Sequence, residues 1–524
     1  MSQLVRDSYL GQFLRYASHG KLLPFEEQKD PSLLKRYSIG EGSAQDDTSE
    51  SSANAENAEK GRDVQLVDWY GPHDPENPKN WSSFTKSLVT FELCLLTFSV
   101  YIGSAIYTAG TVDIMRTFNV SEVVATLGLT VFVLGYGLGP MILAPLSEVP
   151  AIGRNAVYIL TLALFVLFQI PTALATHFAM LVVFRFVTGF LGSPALATGG
   201  ASIGDLYSPQ KRALAIGIWG IASVCGPVLG PLIGGFAAEA RGWRWTIWEL
   251  MWLCGFTLVV LIFFLPETSS KNILYRRAQR LRKLTGNDKL MTQAEIDFQH
   301  VTAAKVAKMT MVRPFVLIFQ EPVVLLLNVY LALVYGLLFI WFESFPLVFE
   351  GIYGFNLGQT GLAFLGILVG AIVAIPPFLW YIRAVQEKQF NEKGEIKPEK
   401  RLPPAMVGAF FIPICLFWFG WSAWPSIHWI MPIVGTGFFS AGALLLFNGV
   451  LNYLPDAYPN DMASVMAGNA FVRFCFGAGF PLFAPAMYKN LGIEWASTLL
   501  ALLGVVFIPI PFAFYYVSIP EKAL

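Results

Sequence analysis

Apolar and polar positions along this chain separate into long blocks instead of alternating. Twelve blocks are predominantly apolar, near 87–110, 123–145, 155–175, 178–204, 212–236, 245–265, 322–349, 358–382, 404–424, 429–453, 462–487 and 494–517. About 20 apolar residues make a helix long enough to cross a hydrocarbon core. Strands of a membrane barrel would alternate in character over about ten residues, whereas these blocks are apolar on every face. The pattern predicts an all-α polytopic membrane protein with twelve transmembrane helices, arranged as two six-helix bundles. Gly and Pro inside several blocks are compatible with this, because neighbouring helices re-satisfy the backbone.

The polar segments between the blocks set the domain plan. A tail covers 1–85, a first bundle 86–266, a central loop 267–320, a second bundle 321–517 and a short C-terminus 518–524. No apolar run follows Met1, so the first span is expected to serve as the targeting signal. From Arg6 to Lys21, Val5, Tyr9 and Phe13 share one helical face among basic residues. Two readings stay open there: an amphipathic helix on the membrane surface, or a partly disordered tail. Residues 37–63, rich in Ser, Ala, Asn, Glu and Asp, read as a disordered linker. Three prolines in 71–81 predict an extended chain entering the membrane. The basic stretch Ile273–Leu284 reads as a helix lying against anionic lipid.

Composition supports the membrane assignment. Hydrophobic residues make up 55% and charged residues 14%, against about 25% charged in soluble domains. The net charge is zero, which argues against a general nucleic-acid binder. The charges are unevenly placed. With the N-terminus in the cytoplasm, 30 of the 36 Lys and Arg residues fall on the cytoplasmic side. That asymmetry places both termini in the cytoplasm. All five cysteines lie inside spans, so no disulfide is expected. Asn119-Val-Ser121 is a glycosylation sequon very close to the second span. No Walker loop, metal-ligand cluster or catalytic triad is present in the sequence, so neither an enzyme nor a bound cofactor is expected.

The two halves carry a weak repeat. Asp205, Tyr207, Gly217 and Gly226 recur 251 residues later as Asp456, Tyr458, Gly468 and Gly477. Their equal placement before spans five and eleven predicts a duplicated six-helix unit, a known transporter plan.

Several motifs carry candidate chemistry. Span five runs from Gly217 with Gly226, Gly230 and Gly234 on one smooth face, and Pro227 and Pro231 permit a bend. This is either a packing interface or a bendable seal against leakage. Between spans two and three, Gly139, Glu148, Gly153 and Arg154 line the cytoplasmic mouth, with Asp205 opening the loop before span five. A surface Glu148–Arg154 pair is worth little alone, but as a gate latch it would count for more. Arg185 in span four and Arg473 in span eleven are intramembrane cations, which mark function by default. Glu343 and Glu92 are the acids that could take up protons, with Glu92 near enough to the inner interface to be solvated. Tyr335, Trp341, Phe345 and Phe474, with Arg473, are candidates to line a substrate cavity.

These features together resemble the major facilitator superfamily. Span five resembles its antiporter motif, and Arg185 with Gly189 its span-four arginine motif. Gly153-Arg154 resembles the end of its loop motif, with Glu148 where Asp is usual. Pro145-Leu-Ser-Glu148, Asp74-Pro-Glu-Asn-Pro-Lys-Asn-Trp81, Gly242-Trp-Arg-Trp245 and Leu265-Pro-Glu-Thr268 are similar to those of fungal twelve-span drug:proton antiporters. Arg6-Asp-Ser-Tyr-Leu-Gly11 looks like fluconazole, benomyl and cycloheximide resistance exporters. The resemblance implies proton-driven export of lipophilic small molecules by alternating access, from a monomer in a fungal plasma membrane. It implies Arg185 in proton coupling, and Gly226 with Pro227 in the span-five seal. A narrow exporter of a secondary metabolite or polyamine is the alternative, and a membrane receptor or membrane-embedded enzyme a more distant one.

Overall fold

The computed structural model describes residues 6–18, 22–29, 32–35, 37, 64–299, 308–391 and 396–516. Of the expected linker at 37–63, Tyr37 is described, and 38–63 lies outside the described residues, as does the C-terminus 518–524. Long apolar helices dominate. Spans 1 to 6 are Ser83–Ala105, Glu122–Leu138 continued by Pro140–Glu148, Arg154–Ala173, Phe178–Ala197 continued by Gly199–Leu206, Pro209–Arg241 and Trp243–Phe264. Spans 7 to 10 are Pro322–Phe345, Leu357–Ala363 continued by Leu365–Tyr381, Pro403–Ser422 and Ile430–Ala457.

The apolar helices form eleven continuous stretches, not twelve, because the last runs 53 residues from Ser464 to Tyr516. At 1.5 Å per residue this is roughly 80 Å, far more than a core of about 30 Å can hold. The backbone breaks at Gly492, with φ 77° and ψ 165°. This stretch therefore crosses twice, as span 11 before Gly492 and span 12 after it. Gly242 makes the same break between spans 5 and 6, with φ 79° and ψ 177°. Positive φ of this kind is open to Gly at little cost. Large apolar side chains such as Leu160, Leu167, Phe256, Val369 and Trp380 are exposed on the outside of the helices, a surface suited to lipid.

Within each half the first span anchors the others. Tyr207, before span 5, bonds the Thr90 hydroxyl of span 1 at 3.0 Å. Its repeat counterpart Tyr458 donates to Glu321, the N-cap of span 7, at 3.1 Å. Between halves, spans 2 and 11 meet through Thr130 Oγ1, which donates to the Ala478 carbonyl at 2.9 Å. Lys489 reaches Glu122 at 2.9 Å, and the Gly358 N–H of span 8 donates to Glu239 of span 5 at 3.2 Å. Glu122, Lys489, Glu239 and Gly358 lie on the face opposite the tail, called here the far face. The tail and central loop occupy the terminal face.

The tail and loop build a small second core on the terminal face. Gln65–Leu66 pairs in parallel with Leu290–Met291. Tyr37, Val67, Ala278, Leu281 and Leu290 are buried together there. The expected extended chain at 71–81 is instead a series of tight turns. Asp74 accepts the N–H groups of Tyr70 at 2.8 Å and Glu76 at 2.9 Å, and Asn80 Nδ2 donates to the Pro72 carbonyl at 2.7 Å. The basic helix Ser270–Thr285 does not keep its charges for lipid. Arg277, fully buried, pairs with Asp74 at 2.7 Å and Glu76 at 3.0 Å, Arg280 pairs with Glu27 and Glu76, and Arg282 with Glu295. The N-terminal helix is Tyr9–Ala17, capped by Ser8, with Phe13 and Tyr16 exposed; Val5 and Lys21 lie outside the described residues.

Candidate functional site

The mouth residues gather into one network on the terminal face. Arg154, 5% exposed, opens span 3 and bridges Glu148 at 2.8 Å and Asp205 at 2.7 Å. Lys271 of the central-loop helix holds the other Glu148 oxygen at 3.0 Å. All these groups belong to the first half and its adjoining loop. The network is therefore not a bond between the halves, as a latch remade during rocking would need. It ties the ends of spans 2, 3 and 4 into one piece.

Sequence reasoning overlooked the residue at the centre of this piece. Glu267, buried after span 6, accepts the backbone N–H groups of Arg154 at 3.3 Å and Asn155 at 3.2 Å. It also accepts those of Thr268 and Ser269, both at 2.9 Å. A carboxylate suits the N-terminus of span 3, where unpaired N–H groups converge. Gly153 makes room for it. Its φ is 77°, and a Cβ there would collide with Glu267 Oε2 and the Asn272 side chain. The signal lay in the quoted Leu265-Pro-Glu-Thr268, an acid just after a span.

Arg185 is fully buried. Its Nε donates to the Gly128 carbonyl at 3.0 Å and Nη1 to that of Gly103 at 2.9 Å. The guanidinium carbon lies 3.9 Å from the Phe132 ring centre and 4.6 Å from that of Tyr107. It thus joins spans 1, 2 and 4 through neutral groups. Close backbone approach makes this possible, since a Cβ on Gly135 would lie 2.6 Å from the Phe190 nitrogen. Gly139 meets Ser193 at the same span 2–span 4 crossing. Glu343 faces the other half near the far face, beside Thr126 and Glu122 of span 2. Glu92 is only 1% exposed, and neither carboxyl oxygen has a hydrogen-bond partner among the described residues. The solvated position expected from the sequence is thus replaced by burial in the bundle.

Span 5 turns its smooth face inward, onto its own half. A Cβ on Gly226 would lie 2.9 Å from Tyr101 Cβ, one on Gly230 2.6 Å from Ala105 Cβ, and one on Gly234 2.6 Å from the Ile106 carbonyl. Pro227 lies within this helix beside that face. Gly217 lies off this face, where a Cβ would lie 3.7 Å from Asn448 Nδ2 of span 10 in the other half. A closer contact across the halves falls next to the stripe, where a Cβ on Gly235 would lie 2.5 Å from the Leu357 carbonyl.

The aromatic candidates divide into two groups. Trp341 and Phe345 are wholly buried inside the second half, and so do not line a cavity between halves. Trp341 packs on Phe439 at 4.5 Å, and Phe345 on Phe364 at 4.1 Å and Phe419 at 5.6 Å. Their spacing on span 7 faces spans 8, 9 and 10. Tyr335 and Phe474 sit at the junction. The Tyr335 hydroxyl bonds that of Tyr101 across the halves. Phe474 packs on Tyr136 at 5.9 Å and on Tyr335 at 5.5 Å. Arg473 lies beside them, within 5.5 Å of the rings of Tyr335, Phe447 and Phe474.

Known proteins share this arrangement. The family model described as Major Facilitator Superfamily matches residues 93–480. The chain is 44% identical to the transporter mfs1 of Schizosaccharomyces pombe over 521 residues, 98% of this chain and 97% of that protein. It is 43% identical to the multidrug transporter FLR2 of Candida glabrata, over 93% of this chain and 83% of that protein. A partially occluded, inward-open structure of the E. coli xylose transporter XylE superposes with a TM-score of 0.58 at 18% identity, covering 83% of this chain and 98% of that one. With two six-helix halves meeting at a polar and aromatic junction, and a family match over most of its length, the chain belongs to the major facilitator superfamily.

Proposed function

We propose that this protein exports bulky, mostly apolar compounds across a plasma membrane in exchange for protons, working as a monomer by alternating access. The observation that carries this reading is the 43% identity, over 93% of the chain, to a protein named as a multidrug transporter. Orientation follows the positive-inside asymmetry, with the terminal face cytoplasmic. The far-face contacts of Lys489 with Glu122 and of Gly358 with Glu239 then close the outer side. Arg185 holds spans 1, 2 and 4 together inside the first half. Glu343 and Glu92 are the proton carriers, since an unpaired interior carboxylate is costly when charged. The polyamine alternative finds less support, because the charged side chain bordering the junction rings, Arg473, is a cation.

The test expresses the full chain in a yeast strain deleted for its own exporters and screens a panel of toxins, with surface abundance measured in parallel. Resistance to several unrelated compounds is expected, and it should collapse when the proton gradient is dissipated. Resistance to a single compound would leave only the narrow exporter. Arg185→Ala should abolish resistance at normal surface abundance; retained resistance would remove Arg185 from the mechanism.

A further inference from the structure

Among the described residues, the interior arginines have acceptors, Arg473 excepted. Arg154 and Arg277 each hold two carboxylates. Arg401 holds one, and Arg185 two carbonyls. Arg473 makes no hydrogen bond or ion pair with any described residue, and its Nε is buried without an acceptor. Its surroundings are ring faces, with the guanidinium carbon 5.2 Å from Phe474, 5.4 Å from Phe447 and 5.5 Å from Tyr335. Ring faces attract a cation but leave its five N–H donors unused. A guanidinium inside a membrane protein is expensive unless something completes it.

Its position indicates what that is. Phe474 and Tyr335 are the side chains through which the second half touches Tyr136 and Tyr101 of the first. Arg473 therefore borders the junction between halves, where a transported molecule must pass. Among the described residues, the acids of the spans do not supply its counter-charge: Glu343 lies by Thr126, and Glu92 is buried without a hydrogen-bond partner. We propose that Arg473, with Tyr335, Phe447 and Phe474, forms a subsite for the carboxylate of an apolar organic acid. The planar fork of the guanidinium takes a carboxylate through two parallel hydrogen bonds, while the rings take a flat apolar body. This assignment rests on the export reading and narrows it to a cargo class. Efflux of such an anion would also run with an inside-negative membrane potential.

The experiment uses the purified full chain in nanodiscs and measures binding of 2-naphthoate and of 2-naphthamide, which share a shape and differ in charge. Wild type should bind the carboxylate at least about tenfold more tightly than the amide, as a charge-assisted pair requires. Arg473→Gln should erase that preference, and Arg473→Lys should keep part of it, which shows that a folded site remains. Equal binding of the two probes by wild type, or an unchanged preference in Arg473→Gln, would overturn the proposal. The toxin panel separates the two readings. Wild type that protects cells from neutral toxins but binds naphthoate no better than naphthamide sinks the anion subsite alone. Wild type that protects from nothing sinks the export reading, whatever the naphthoate result.

Discussion

The Glu148–Arg154–Asp205 network and the Arg401–Asp456 pair occupy corresponding places in the two halves. Asp205 and Asp456 stand 251 residues apart, and each arginine lies at the start of the third span of its half. In the first half the arginine has two carboxylate partners. A capped helix end, Lys271 and the tail stand behind it. In the second half Arg401 has, among the described residues, one carboxylate partner at 2.9 Å, and its Nη1 is buried without an acceptor there. The neighbouring Arg313–Asp461 pair is exposed. Both positions thus carry an ion pair, and among the described residues the supporting shell stands around the first. The lesson concerns rigidity: the first half is stitched into one piece on the terminal face, and the second is pinned at separate points.

That contrast can be broken by substitution. The largest effect is expected from Arg154→Met, which leaves Glu148 and Asp205 without their buried cation. The cation is buried but both carboxylates are partly exposed, so the loss falls short of the about 3–5 kcal/mol of a fully buried pair, and the melting temperature of the purified protein should fall by several degrees. A shift no larger than that of Arg401→Met would dissolve the asymmetry. Gly153→Ala comes next. It forces a side chain into a positive-φ site and against Glu267, at about 1–3 kcal/mol; thermal unfolding reads this directly, and a neutral result would show that the loop relaxes freely.

Asp74→Asn probes whether the docked tail belongs to the rigid piece. Burial opposes ionisation of this carboxyl, but the hydrogen bonds and charge of Arg277, with the N–H groups of Tyr70 and Glu76, outweigh burial and hold it below its ordinary range. A depressed native pKa stabilises fully above the unfolded value near 3.9, and that stabilisation is lost as pH falls through the folded value. Tail docking should therefore be constant from about pH 5 to 8 and weaken only in stronger acid. Hydrogen exchange over residues 64–81 measures it. In Asp74→Asn exchange should be fast already at neutral pH, and unchanged protection would show that Glu76 suffices. The smallest effect is expected from Arg313→Ala, whose exposed pair should leave thermal stability unchanged within error. A clear loss there would raise the second half to equal standing.

How much of this was readable in advance differs from residue to residue. Span lengths follow from apolar runs, because a hydrocarbon core demands them whatever the neighbours. Gly492, which ends span 11 by positive φ, sits in the gap between the last two runs, and that gap was visible while the residue that makes the break was not. Arg185 was visible because a charge in an apolar block has no cheap explanation. Its partners were not, since backbone carbonyls at Gly103 and Gly128 carry no side-chain signature. Trp341 and Phe345 shared composition with Tyr335 and Phe474. Only the rotation of span 7 put the first pair inside one half and left Tyr335 at the junction.

The sequence by itself determined the twelve crossings, the six-plus-six division and the charge asymmetry. Each rests on local chemistry: apolar length, polar interruption and the placement of Lys and Arg. Tertiary structure alone decided which charges meet. It turned the basic helix Ser270–Thr285 from lipid toward Asp74, Glu76 and Glu27. It set Glu267 on the end of span 3, more than 100 residues away, and left Arg473 among rings, with no acid paired to it among the described residues. Pairing depends on distances between segments far apart in the chain, and composition carries no information about those distances until the helices pack.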